Sequence, residues 1–73
     1  MEQVDASGLS CPEPAIMARE ALAKTGVDKV EVLVDSVTSK DNVLRVGRQM
    51  GWNGTSEQRE NGGFRIVFSK RGS

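Results

Sequence analysis

A two-layer α/β sandwich of the α+β class is the fold this sequence predicts, with a mixed four-stranded sheet and two helices on one face. Apolar residues alternate with a period of two in KVEVLVD and FRIVFSK. They recur at helical spacing between Pro12 and Thr25, and again between Thr38 and Met50. Turn residues rich in glycine separate these segments. The 73 residues read as one domain, 1–73. A chain this short buries roughly 60% of its unfolded surface, so chemistry belongs on its surface rather than in a deep pocket.

VDA (Val4 to Ala6) is a short strand ending at the turn residues Ser7 and Gly8. From Pro12 to Thr25 the spacing predicts a helix that buries Pro14, Met17, Ala18, Ala21, Leu22 and Thr25, with Gly26 as its stop. KVEVLVD, Lys29 to Asp35, is a strand with Val30, Val32 and Val34 on one face and Glu31 and Leu33 on the other. A second helix runs from about Thr38 to Met50. Thr38 three residues before Asp41 suggests its cap, and Val43, Val46, Gly47 and Met50 form its stripe. Gly51 closes that helix, and Trp52 folds back over its last turn as a core residue. The polar segment Thr55 to Glu60 is an edge strand, where charge discourages further pairing. After the turn Asn61-Gly62-Gly63, the last strand points Phe64, Ile66 and Phe68 inward and ends in the tail KRGS.

Each strand has one convincingly apolar face, so helices cover one side of the sheet and water the other. Right-handed crossovers make the first three strands parallel, and the final hairpin adds an antiparallel one.

Composition removes several function classes. Ten basic residues balance ten acidic ones, leaving no overall field for nucleic acid or membrane. No apolar run reaches the roughly 20 residues that span a bilayer, and MEQVDASG holds no signal-like apolar stretch. The cytoplasm is the expected compartment. There is no histidine and one cysteine, so an internal disulfide is excluded and neither a structural zinc site nor Cys-His catalysis is expected. No cofactor or metal is expected.

What remains is GLSCPEP, Gly8 to Pro14. Cys11 precedes a proline, which keeps it out of the α region and at or before the helix cap. Pro12 and Pro14 both fit a first helical turn, and the sequence leaves open which of them starts it. Either way the two rings stiffen the entry and fix the thiol's direction. The helix N-terminus favours thiolate. Against this, the prolines remove N–H donors and Glu13 adds negative charge. The balance is a modestly activated sulfur, a carrier rather than a permanently reactive site. The bland alternative, a small buried cysteine before an ordinary proline-started helix, stands beside it.

DASGLSCPEPAIMAREAL resembles the signature of the TusA/SirA family, with Gly8, Leu9, Cys11, Pro12, Pro14, Ala21 and Leu22 at the matching positions. Ala15 stands where relatives often carry valine. The resemblance extends over essentially the whole chain. LVDSVTSKDNVLRVGRQMGW is closer to the YedF-like branch, in which such a domain commonly precedes a DsrE-like domain in a longer chain. The resemblance implies a sulfur carrier whose Cys11 takes up sulfane sulfur as a persulfide, typically from a cysteine desulfurase, and passes it to an acceptor protein thiol. It implies a sulfurtransferase-like carrier rather than a multiple-turnover enzyme. The YedF-like branch is associated with selenium metabolism. Its alternative reading is a non-catalytic interaction or redox-regulatory domain.

Independently, persulfide exchange needs one accessible sulfur and no histidine, metal or second cysteine. Around Cys11, the residues Gly8, Leu9, Pro12, Glu13 and Pro14 are supporting candidates. Leu9 and Ile16 form a candidate docking rim, with Arg19 beside them. Each has an ordinary reading too. Asp5 orients the Ser7–Cys11 turn or simply faces water; Glu13 tunes the thiol or is a solvated first-turn acid. Arg19, Lys40, Arg45 and Arg48 form a basic surface or ordinary helix faces, and Leu33 and Val67 are scattered exposed apolar residues. A monomer that meets protein partners is expected. RNA binding, which sandwiches of this kind can host, is disfavoured by zero net charge and the lack of an exposed aromatic pair.

Overall fold

Glu2–Asp5 forms strand β1, Glu13–Leu22 helix α1, Lys29–Val34 strand β2, Val37–Gln49 helix α2, Trp52–Gln58 strand β3 and Phe64–Lys70 strand β4. The computed structural model describes residues 2–9, 13–24 and 26–70. The sheet order is β1-β2-β4-β3. β1 and β2 are parallel, while β4 runs antiparallel to both β2 and β3. Two antiparallel pairings in succession bring β3 back to the direction of β1 and β2, so the expected strand directions hold. The polar β3 lies at one edge, as its charge suggests, and β1 at the other.

The core follows the alternation. Val4, Val30, Val32, Val34, Ile66 and Phe68 line one face of the sheet and are buried. Against them pack Pro14, Ala18, Ala21 and Leu22 of α1 and Val43 and Gly47 of α2. Two short alanines at Ala18 and Ala21 let α1 lie close to the sheet. Glycines of α2 and β3 make room for Phe68 as well. A Cβ on Gly47 would come within 2.8 Å of Phe68 Cδ1, and one on Gly54 within 2.6 Å of Phe68 Cε1. The same edge of the Phe68 ring therefore fills a slot that two missing methyl groups leave open.

Several boundaries differ from the expected ones. β1 spans Glu2–Asp5, earlier than Val4 to Ala6, because its pairing with Val30–Leu33 extends toward the N-terminus. α1 ends at Leu22. Its last turn tightens, with the Lys24 N–H donating to Ala21 O at 3.4 Å, and Lys24 turns to pair with Glu2 at 2.7 Å. The expected helix ends at Pro12 and Thr25 fall outside the described residues. α2 begins at Val37, and its cap is Ser36, not Thr38. Ser36 is still extended (φ −143°), and its hydroxyl accepts the Ser39 N–H at 3.1 Å. The chain passes from strand to helix within two residues, so the first hydroxyl in line takes the capping role. Trp52 is buried as expected, and it is also the first residue of β3. Gly51, at φ +87°, reverses the chain so tightly that strand pairing begins on the next residue. β3 consequently runs Trp52–Gln58, not Thr55 to Glu60.

The uncovered face is less open to water than its alternation suggests. Gln3, Glu31, Arg65 and Glu57, one from each strand, form a chain across the sheet. Gln3 donates to Glu31 at 2.6 Å, and Arg65 donates to both Glu31 and Glu57, the latter at 3.0 Å. This leaves Glu31 only 8% exposed. Its hydrogen bond from Arg65 holds the carboxyl below the usual range, against the opposing effect of burial, with Gln3 assisting. Leu33 and Val67 are half-buried on the same face.

Candidate functional site

Parallel pairing of β1 and β2 sends both strands toward the same end of the molecule. Asp5 stands beside Leu33, Leu33 beside Arg65, and Val34 beside Phe64, which pairs with Gln58. The loop after β1, the junction between β2 and α2, and the β3–β4 turn therefore share that end. Both helices begin there. In sheets with parallel strands this is the end where ligands and reactive groups collect.

The loop after β1 is a tight turn. The Leu9 N–H donates to Ala6 O at 3.3 Å, and the central residue Gly8 has φ +78°. A type II turn needs a positive φ at this position, which glycine adopts without cost. Ala6 is fully buried and extends the β1–β2 ladder by one bond, its N–H donating to Leu33 O at 2.8 Å. Two carboxylates hold the turn from outside. Asp5 accepts the Ser7 N–H at 3.1 Å, and Asp35 accepts the Gly8 N–H at 2.6 Å. The Ser7 backbone and then its hydroxyl keep the Asp5 carboxyl below the usual range, and Arg59 acts in the same direction. Asp5 thus orients the turn and faces water at once.

The candidate residues take distinct positions around this end. Gly8 and Leu9 belong to the turn, with Leu9 36% exposed. Glu13 is exposed at the first position of α1. Pro14 is among the fully buried side chains and anchors the first turn of α1 to the core. Ile16 is 52% exposed and Arg19 is exposed in the last turn of α1. Cys11 and Pro12 lie outside the described residues. The supposed basic surface is partly engaged: Lys40 lies 5.1 Å from the centre of the Phe64 ring and 3.5 Å from Asp41, and Arg45 donates to Asn42.

Two residues at this end were not singled out from the sequence. Asp35 reads there as the last residue of a strand. Its relation to Gly8 depends on β1 and β2 being adjacent, which a strand pattern does not encode. Val37, at the start of α2, is 55% exposed and is an apolar residue at the same end as Leu9. The described residues contain no cluster of acidic or thiol groups able to hold a metal ion. No described helix is long and apolar enough to cross a membrane.

The arrangement is a small sandwich that presents a clamped turn, and the N-terminus of its first helix, on either side of one cysteine. The family described as Sulfurtransferase TusA matches residues 2–70. A protein of Archaeoglobus fulgidus named "Putative sulfur carrier protein" is 33% identical over 69 residues, spanning 92% of this chain and 90% of the relative. Among solved structures, the chain is similar to the SirA-like protein of Desulfitobacterium hafniense, with 34% identity and a TM-score of 0.86. That likeness covers 94% of this chain and 96% of the other. The chain belongs to the TusA family.

Proposed function

We propose that this protein is a sulfur carrier that holds sulfane sulfur as a persulfide on Cys11. The Cys11 thiolate attacks the outer sulfur of a donor protein's cysteine persulfide. The donor's S–S bond breaks, a new S–S bond forms on Cys11, and the donor leaves as a thiolate. In the second step an acceptor thiolate attacks the outer sulfur on Cys11, which returns as a thiolate. Sulfur moves at constant oxidation state, so neither step needs an oxidant or reductant. A cysteine desulfurase is the chemical type of donor that supplies such a persulfide.

The placement of the flanking residues carries this reading. Cys11 follows Leu9 by two residues and precedes Glu13 by two. Both neighbours are exposed, at the end where two helices begin. The positive end of α1 favours a thiolate nearby. Exposed Leu9, Ile16 and Val37 offer apolar contact to a partner. No enclosed substrate site is needed, because the reacting group arrives on another protein.

Incubation with a cysteine desulfurase and free cysteine, followed by intact mass measurement, tests the proposal. The expected product carries one added sulfur atom, removable by a thiol reductant and lacking in Cys11→Ser. A wild-type protein that gains no sulfur, or a variant that still gains it, overturns the reading.

A further inference from the structure

We infer that Asp35 is a positioning residue for the Cys11 loop, acting through the hydrogen bond it accepts from the Gly8 backbone. This rests on the carrier role of Cys11 proposed above.

Three successive backbone donors lead toward the cysteine, and each is engaged. Ser7 N–H goes to Asp5, Gly8 N–H to Asp35 at 2.6 Å, and Leu9 N–H to Ala6 O. Two of these bonds stay within the loop and its own strand. Only the Asp35 bond crosses to another element, joining residues 27 apart in sequence. Ala6, at the start of the turn, is tied to β2 through its N–H to Leu33 O, and the Asp35 bond is the described tie that holds the far side of the turn, at Gly8, to another element.

Asp35 itself is firmly seated. On one side its backbone continues β2. On the other, Ser36 caps α2. The β3–β4 turn packs against it from a third direction. A Cβ on Gly63 would fall within 2.8 Å of Val34 O and 3.6 Å of Asp35 Cα, so this glycine lets the hairpin close onto the junction. The turn is itself held by the Arg59 N–H donating to Gly63 O at 2.7 Å. The capping role falls to Ser36, which leaves the exposed Asp35 carboxylate to the loop.

A protein donor must meet Cys11 in one orientation, whereas a small alkylating reagent attacks it from any open direction. Loosening the loop therefore slows sulfur uptake from a protein while sparing reaction with the reagent. Asparagine keeps an acceptor oxygen and loses the charge; alanine loses both. The pair separates a hydrogen-bonding role from an electrostatic one.

The experiment compares wild type, Asp35→Asn and Asp35→Ala by Gly8 amide exchange, kcat/KM for sulfur loading by a cysteine desulfurase, and iodoacetamide alkylation of Cys11. Ser36→Ala serves as a control that weakens α2 without touching the loop. In Asp35→Ala, Gly8 exchange rises about tenfold, the equivalent of one lost hydrogen bond, and loading falls several-fold. Alkylation stays near the wild-type rate. Asp35→Asn stays close to wild type in all three, and Ser36→Ala leaves Gly8 exchange and loading at wild-type values relative to overall stability. The inference is overturned if Asn and Ala give the same Gly8 exchange and the same loading rate, if both accelerate alkylation (a charge effect), or if Gly8 exchange is unchanged in Asp35→Ala. A wild-type protein that accepts no sulfur overturns the carrier reading instead, and Gly8 exchange then decides alone whether Asp35 holds the loop.

Discussion

Replacing Gly8 by alanine tests the turn that leads to the cysteine. A Cβ added at Gly8 would meet nothing within 4 Å, so the change brings no collision with neighbouring groups. The cost lies in the backbone, because φ there is +78°. Two routes are open to the variant. Keeping the conformation forces an L-residue into the left-handed region, at about 1–2 kcal/mol. Flipping the turn to a negative φ relieves that strain but withdraws the N–H from Asp35, forfeiting a hydrogen bond of about 1 kcal/mol. Alanine also narrows the unfolded ensemble, which returns about 0.4–1 kcal/mol. The cheaper route limits the net destabilisation to about 0–0.6 kcal/mol, a Tm lower by up to about 5 °C for a domain of this size. Asparagine, which tolerates positive φ, should lose about half as much. Thermal unfolding followed by far-UV circular dichroism measures both variants. A Tm for Gly8→Ala above that of wild type would refute the reasoning, since it would mean that the turn does not require a left-handed residue.

Gly47→Ala sets two effects against each other, a gain in helix propensity of about 1 kcal/mol and overpacking against the buried Phe68 ring of about 1–3 kcal/mol. The variant should be neutral to destabilised in wild type and stabilised in a Phe68→Leu background; urea titrations of the full double-mutant cycle check the change of sign. Acid unfolding should report the Gln3–Glu31–Arg65 chain. The folded-state pKa of Glu31 is lowered, so its contribution is complete above the unfolded value of about 4.3 and is lost as pH falls through the folded one. Stability should decline with acid below about pH 4.3, and Glu31→Gln should flatten that decline without abolishing it, because the lowered Asp5 acts in the same direction. Equal slopes for wild type and variant in pH-dependent denaturant titrations would count against the ion chain.

Period and punctuation were enough to predict six elements in order, because each carries its own local signal. The triplet Val30, Val32 and Val34 faces inward for the same reason that it alternates, and Pro14, Ala18, Ala21 and Leu22 share a stripe because their spacing matches the helical turn. Element ends were harder to read. Ser36 displaced Thr38 as a cap, and β3 began at Trp52 instead of Thr55, since both outcomes depend on how sharply the chain turns between neighbours. Glu31 shows the same limit on the open face: its burial comes from Gln3 and Arg65 on flanking strands, which alternation within one strand cannot reveal.

The amino-acid order alone determined the sandwich and the polar edge strand, and it supplied Cys11 as the group on which the proposed carrier role rests. A single cysteine with no histidine leaves little other covalent chemistry, and those properties belong to residues close in the chain. Only tertiary structure decided that Asp35 reaches Gly8, that the β3–β4 turn closes onto the same junction, and that Val37 shares an end with Leu9. These relations join segments that are distant in sequence, and they arise from placing β2 between β1 and β4. Strand adjacency is settled by how the faces pack together, and no local pattern records it.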